Sequence, residues 1–165
     1  MNQTEFLSIF RQSAQVYNKS FKQGGIIMNT KQEFLSIMAQ QPQIALATAV
    51  DQLPNVRILN FYYDPEKHIL YFATVKGEDK IKEMNLNPHI AFTTIPHSGN
   101  KHVKARGIAK QSQLTIFDLA DCFIAKIPSY QEAIELVGSD LVLYEVSFDS
   151  AIVAKDLTTI EKITF

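Results

Sequence analysis

From Gln43 onward the apolar residues come in short runs separated by turn signals, a spacing that predicts strands. "QIALATAV" at 43–50 is rich in strand formers, Asp51 to Pro54 is a turn signal, and "NVRILNF" carries the next run on to Tyr63, so the two form a hairpin. "DPEK" at 64–67 turns the chain again with Pro65 in its favoured second place, and "HILYFAT" from His68 returns as the third strand of a meander. The period then changes. "VKGEDKIKEMNLNP" has acidic residues suited to a first helical turn, apolar Ile81 and Met84, and a stop at Pro88, predicting a short helix from about Glu78 to Leu86. "HIAFTTIP" and "KHVKARGIAKQ" are two more strands around the turn "HSGN", and Gly107 inside the second marks a bulge or a close backbone approach.

"LTIFDLADCFIAKI" sets Ile116, Leu119, Ala120, Phe123, Ile124 and Ile127 on one helical stripe that Pro128 ends. "SYQEAIELVG" predicts a second helix, with Ser129 as N-cap, Glu132 in the capping-box position and Gly138 as the stop. "LVLYEVSF" and "AIVAKD" are the closing strands, followed by a mostly polar tail to Phe165. Many short antiparallel strands, few helices and no βαβ alternation predict a mainly β fold, a small β-barrel with α-helical insertions.

One charge interrupts this pattern. In an extended chain Arg57 shares a face with Leu59, Phe61 and Tyr63, while Val56, Ile58, Asn60 and Tyr62 share the other, and both faces are largely apolar. A guanidinium stays charged, so beside a core it needs an anion: a carboxylate of this chain, or the carboxylate or phosphate of a ligand. Spacing alone favours the carboxylate slightly.

Composition narrows the partners. The chain has 165 residues, enough for one domain with a real core, and 16 basic against 17 acidic residues with no long basic block, which argues against nucleic acid. Cys122 is the single cysteine, so neither an intramolecular disulfide nor a cysteine-only metal cage forms within one chain. No apolar run approaches the roughly 20 residues of a spanning helix, and no signal-peptide core opens the chain, so the expected compartment is the cytoplasm, without a membrane. Residues 1–28 read as an N-terminal helical extension, separate from a single barrel domain over 29–165. In it "TEFLSI" at 4–9 nearly recurs as "QEFLSI" at 32–37, a likeness attributed to chance because the flanks diverge. Gly24-Gly25 ahead of Met28 leaves open that Met28 is the native start and the preceding stretch a translated leader.

Taken in order, "ALATAV", "PNVRILNFYYD", "LYFAT", a spacer ending in Lys80, "NPHIAF" and "VKARGIA" resemble the FMN-binding split-barrel family typified by pyridoxamine 5'-phosphate oxidase, over about positions 34 to 155. The resemblance implies a six-stranded Greek-key split barrel that forms a homodimer with flavin in clefts at the interface. It implies that Arg57, Ile58, Leu59 and Asn60 face the phosphate and the isoalloxazine edge, that Thr74 and Lys80 bind the phosphate, and that His102 addresses the ring. The family's usual Ser-Arg-Lys run reads "EDK" here, with Glu78 and Asp79 in place of two anion partners, for which Lys76 and the backbone amides of the helix start are candidate substitutes. A dianionic phosphate matches the fork of Arg57 and the point charge of Lys80, so the ligand becomes the favoured partner of Arg57. A pair with Glu78 or Asp79, in a barrel that has lost its cofactor, is the alternative. The implied activity is a flavin-dependent oxidoreduction of a small organic substrate with FMN, or else a deazaflavin or haem. A non-catalytic flavin- or haem-binding, stress-associated protein is the runner-up.

Other constellations carry less. His97 and His102 flank a Gly-Asn turn with no third ligand at a metal spacing, Cys122 has no activating base nearby in sequence, and Asp118 and Asp121 read as a wet helix face. Tyr62, Tyr63, Tyr71 and Phe72 suit a flat ring and a packed core equally. No general acid, base or nucleophile stands out, as expected where a flavin carries the chemistry.

Overall fold

The computed structural model describes residues 29–165, so the extension over 1–28 and the first copy of the near-repeat lie outside the described residues. Helix α1 (Thr30–Gln40) opens with a capping box: Asn29 accepts from the Gln32 amide, and the Gln32 side chain accepts from the Asn29 amide. Strands β1 (Gln43–Val50), β2 (Leu53–Asn60), β3 (Tyr62–Asp64) and β4 (Ile69–Val75) follow. Next come helix α2 (Asp79–Leu86), β5 (His89–Thr94) and β6 (His102–Gln111). The expected first helical stretch starts as a 3₁₀ turn (Ile116–Leu119) and continues as α3 (Ala120–Lys126), and α4 (Tyr130–Val137), β7 (Leu141–Ser147), β8 (Ser150–Ala154) and β9 (Ile160–Thr164) complete the chain.

All nine strands belong to one antiparallel sheet with the path β2-β1-β5-β6-β7-β4-β3, and β8 pairs with both β6 and β9. The described residues form nine strands where the resemblance implies six and the sequence pattern itself reads as seven, and the two beyond that pattern have physical reasons. The long second strand is interrupted at Phe61, so its first half pairs with β1 and its second half with β4 at the far end of the path. The tail read as polar coil is strand β9, which covers the free edge of β8 over Ser150 to Ala154. No ladder joins β2 to β3; Phe61 carries the chain between them, and its amide donates to Pro42.

The main core lies on the inward face of the sheet, where Ile44, Leu46, Phe61, Leu70, Phe72 and Val103 pack with Phe34 of α1. A second core joins Tyr62 and Tyr71 to Ile116, Phe123, Tyr130 and Ile134, so α3 and α4 cover the outer face at the β3 end. The four aromatics that suited either a ligand or a core are thus core residues, with Tyr62 stacked on Tyr71 at 6.4 Å. Gly107 reports a close backbone approach, since a Cβ there would lie 2.5 Å from the Ser147 carbonyl oxygen. Ser129 is the N-cap of α4, but it makes no capping bond with its side chain: its own backbone is helical (φ −66°, ψ −10°), and the Ile127 and Pro128 carbonyls accept the following amides.

Candidate functional site

The residues around Arg57 follow from strand parity. Ile44, Leu46 and Thr48 of β1 point inward, and the antiparallel register sets Arg57 opposite Leu46 and Leu59 opposite Ile44. Ile58 and Val56 therefore turn outward, where they are 60% and 65% exposed. The run Arg57–Asn60 is divided between the two faces of the sheet, Arg57 and Leu59 inside, Ile58 and Asn60 outside.

Helix α2 packs against β1 next to this inward charge and supplies its anion. Arg57 Nη2 donates to Glu83 Oε2 at 2.5 Å and Nη1 to Thr48 Oγ1 at 2.7 Å. Thr48 in turn donates to Glu83 Oε2 at 2.5 Å, and Asn55 Nδ2 to Glu83 Oε1 at 3.0 Å. Both carboxylate oxygens are thereby engaged, and the Arg57 and Glu83 side chains are only 16% and 21% exposed. The Thr48 hydroxyl, followed by Asn55 and Arg57, holds the Glu83 carboxyl at about 2, well below its ordinary value. The sequence left Arg57 with Glu78, Asp79 or a ligand; its partner here is Glu83.

Lys80 sits in the first turn of α2, its side chain 12% exposed, and donates to Thr74 Oγ1 at 2.9 Å and to Glu78 at 3.1 Å. Thr74 is 4% exposed at the inward-facing end of β4, so the structure does bring Thr74 and Lys80 together. Lys76 is directed elsewhere, to the Ser139 carbonyl at 2.7 Å, and does not compensate for Glu78 and Asp79. His102 Nδ1 donates to the Asn100 carbonyl at 2.7 Å, at the start of β6. Among the described residues no three His, Cys, Asp or Glu side chains are grouped to hold a metal.

Two further groups bear on the chemistry. Burial pushes the Cys122 thiol above its ordinary value, which leaves it protonated and a poor nucleophile. Lys126 places Nζ 3.3 Å from the Phe61 ring centroid and donates to the Met38 carbonyl near the end of α1 at 2.8 Å. Burial pulls that amine down to about 6, while the ring face and the helix end favour its charged form.

A phosphate clamp shared by Arg57 and Lys80 does not fit this donor set. Arg57 is neutralised inside the protein, and Lys80, backed by Thr74, is left to meet an anion with the half-exposed Glu78 beside it.

Sequence and structure comparisons bear on the same segment. The profile of a family described as pyridoxamine 5'-phosphate oxidase-like matches residues 37–159. A search among curated proteins finds no match. Among solved structures, general stress protein 26 from Bacillus anthracis aligns with a TM-score of 0.65 at 17% identity, over 84% of this chain and 100% of its own. A heme-binding protein from Mycobacterium smegmatis aligns at 0.69 and 11%, over 85% of this chain and 60% of its own. A FAD-binding protein from Mesorhizobium loti aligns at 0.57 and 19%, over 74% and 91%. At such identities the likeness is one of fold.

Proposed function

Because the chain belongs to the pyridoxamine 5'-phosphate oxidase-like family, we propose that it is a Greek-key split barrel that pairs with a second copy and holds a flavin-class cofactor between the two, with FMN the first ligand to test. The observation that carries this reading is the pairing of Lys80 with buried Thr74 at the inward-facing end of β4, an ammonium whose only anionic partner among the described residues, the half-exposed Glu78, one anionic group of a ligand would replace. The flavin would supply the redox chemistry towards a small organic substrate, and the chain's own residues would bind and orient it.

The outward face of the sheet supports the pairing of subunits. Across β2, β1 and β5 the neighbours Ile58, Ala45 and Thr93 lie in one row and Val56, Ala47 and Ala91 in the next, a shallow surface of small and apolar side chains with two large ones exposed. Ile58 and Asn60 lie on this face, and they rather than Arg57 are the members of that run placed to meet a ligand there.

A second reading, a binding protein for haem without turnover, is favoured by the filled seat at Arg57, which removes one reason for the ligand to carry a phosphate. Absorption spectra of the purified protein with FMN and with haem separate the two. Saturable flavin bands that bleach with a reduced nicotinamide support the oxidoreductase; a Soret band with no flavin uptake supports the haem reading.

A further inference from the structure

We propose that Glu83 is a built-in anion that occupies the seat at Arg57, so that Arg57 adds nothing to the preference for a phosphate-bearing ligand over its unphosphorylated counterpart, which is left to Lys80 alone. Arg57 directs its two terminal nitrogens to Glu83 and Thr48, while Thr48 and Asn55 both donate to the same carboxylate. Three donors from two adjacent strands thus converge on one glutamate from α2, and a phosphate approaching Arg57 would meet a like charge at hydrogen-bond distance. Displacing Glu83 would strand a carboxylate that is mostly buried, with its hydrogen bonds broken.

The same helix leaves room for a lesser charge. Lys80 lies three residues before Glu83, about one helical turn away, so α2 presents a cation to Thr74 and a carboxylate to Arg57. A single anionic group finds Lys80; a dianion seeking both cations finds one of them already satisfied. The Glu83 carboxyl, held at about 2, stays ionised at any neutral pH.

This deepens the proposed function by naming the ligand class at the same site, and its test includes an arm that needs no flavin. The full chain and its Glu83→Gln variant are unfolded thermally while inorganic phosphate replaces chloride at constant ionic strength, and both are titrated with FMN and with riboflavin. The wild type is expected to show no phosphate-specific rise in Tm that Arg57→Ala removes, and to prefer FMN to riboflavin by no more than the roughly tenfold that Lys80 supplies, with Arg57→Ala leaving that preference unchanged. Glu83→Gln is expected to gain a phosphate-dependent rise in Tm and about a further tenfold preference for FMN, and adding Arg57→Ala should remove both gains. A wild-type preference for FMN of about tenfold that Arg57→Ala abolishes would overturn the inference, as would a folded Glu83→Gln protein indifferent to phosphate. If no variant takes up either flavin, the proposed function fails, while the phosphate response still decides the role of Glu83. Should Glu83→Gln not fold, Glu83→Asp, with its carboxylate one methylene short of Arg57, goes through the same phosphate comparison.

Discussion

At the scale of single residues, the Glu83 network makes stability depend on acid. The Glu83 carboxyl falls from 4.5 to about 2 on folding, so its contribution is fully present above the unfolded value and is lost as pH drops from 4.5 towards 2. Urea unfolding followed over that range should show a steeper loss for the wild type than for Glu83→Gln, and parallel curves would contradict the network. Tyr144 is a second test. Its hydroxyl finds no partner among the described residues although the residue is 1% exposed and stacks on Phe72. Tyr144→Phe removes a buried polar atom and keeps the ring, and is expected to raise unfolding stability by about 1 kcal/mol, the lower end of the cost of an unsatisfied group. A clear loss would mean that the hydroxyl has a partner in solution. Strand parity put Arg57 on one face with Leu59, Phe61 and Tyr63, which all pack in the main core, but both faces of the run are apolar, so which of them is inward was not legible in the sequence. The partner of Arg57 was not legible either: Glu83 lies 26 residues away on a separate helix, and nothing local distinguishes it from Glu78 or Asp79. Thr48 could have been noticed, since it continues the inward row of Ile44 and Leu46.

At the scale of elements, two turns of backbone explain where the strands begin and cross. Asp51 and Gln52 both adopt left-handed conformations (φ 50° and 64°), the geometry of a two-residue hairpin turn whose favoured second residue is glycine. Gln52→Gly is therefore expected to raise stability by about 0.5 kcal/mol, the relieved strain outweighing the added freedom of the unfolded chain. Gly107→Ala should act in the opposite sense, because its Cβ would press on the Ser147 backbone oxygen at 2.5 Å beside the end of the β6–β7 ladder at Ile108 and Ser147. Thermal unfolding checks both, and a tolerated alanine would mean that β7 can shift. Apart from the break at Phe61 and the start of β2 inside the Asp51–Pro54 signal, the strands through β8 follow the turn signals, and α2 follows its acidic start and its stop before Pro88. Strand β9 does not announce itself, because Ile160 and Ile163 break the alternation expected of a half-buried strand. It forms because β8 offers an unpaired edge, and Phe165 then seats against Phe34 at 5.0 Å, a long-range cause that no local pattern carries. Glu161 ties it down further by accepting from Thr30 and Lys155.

At the scale of the whole molecule, the two faces of the sheet have different tasks. The inner one is closed by α1, α2 and the core, whereas the outer face around Val56 and Ile58 is covered, among the described residues, only towards β3, where α3 and α4 lie. A second copy covering the open half would bury Ile58, so Ile58→Glu should give a folded monomer in sedimentation analysis where the wild type is a dimer. A wild-type monomer, or a variant that stays paired, would place the partner elsewhere. No helix among the described residues is long and apolar enough to cross a membrane, so this exposed surface is not part of a spanning helix. The central claim, that paired barrels hold a flavin with Lys80 as its anion contact, is tested most directly by fluorescence titration of FMN into the wild type, Lys80→Ala and Ile58→Glu. Saturable quenching is expected in the wild type, with affinity about tenfold weaker in Lys80→Ala and no binding by the monomeric Ile58→Glu; absent quenching in the wild type, or equal affinity in all three proteins, would overturn the paired flavin site.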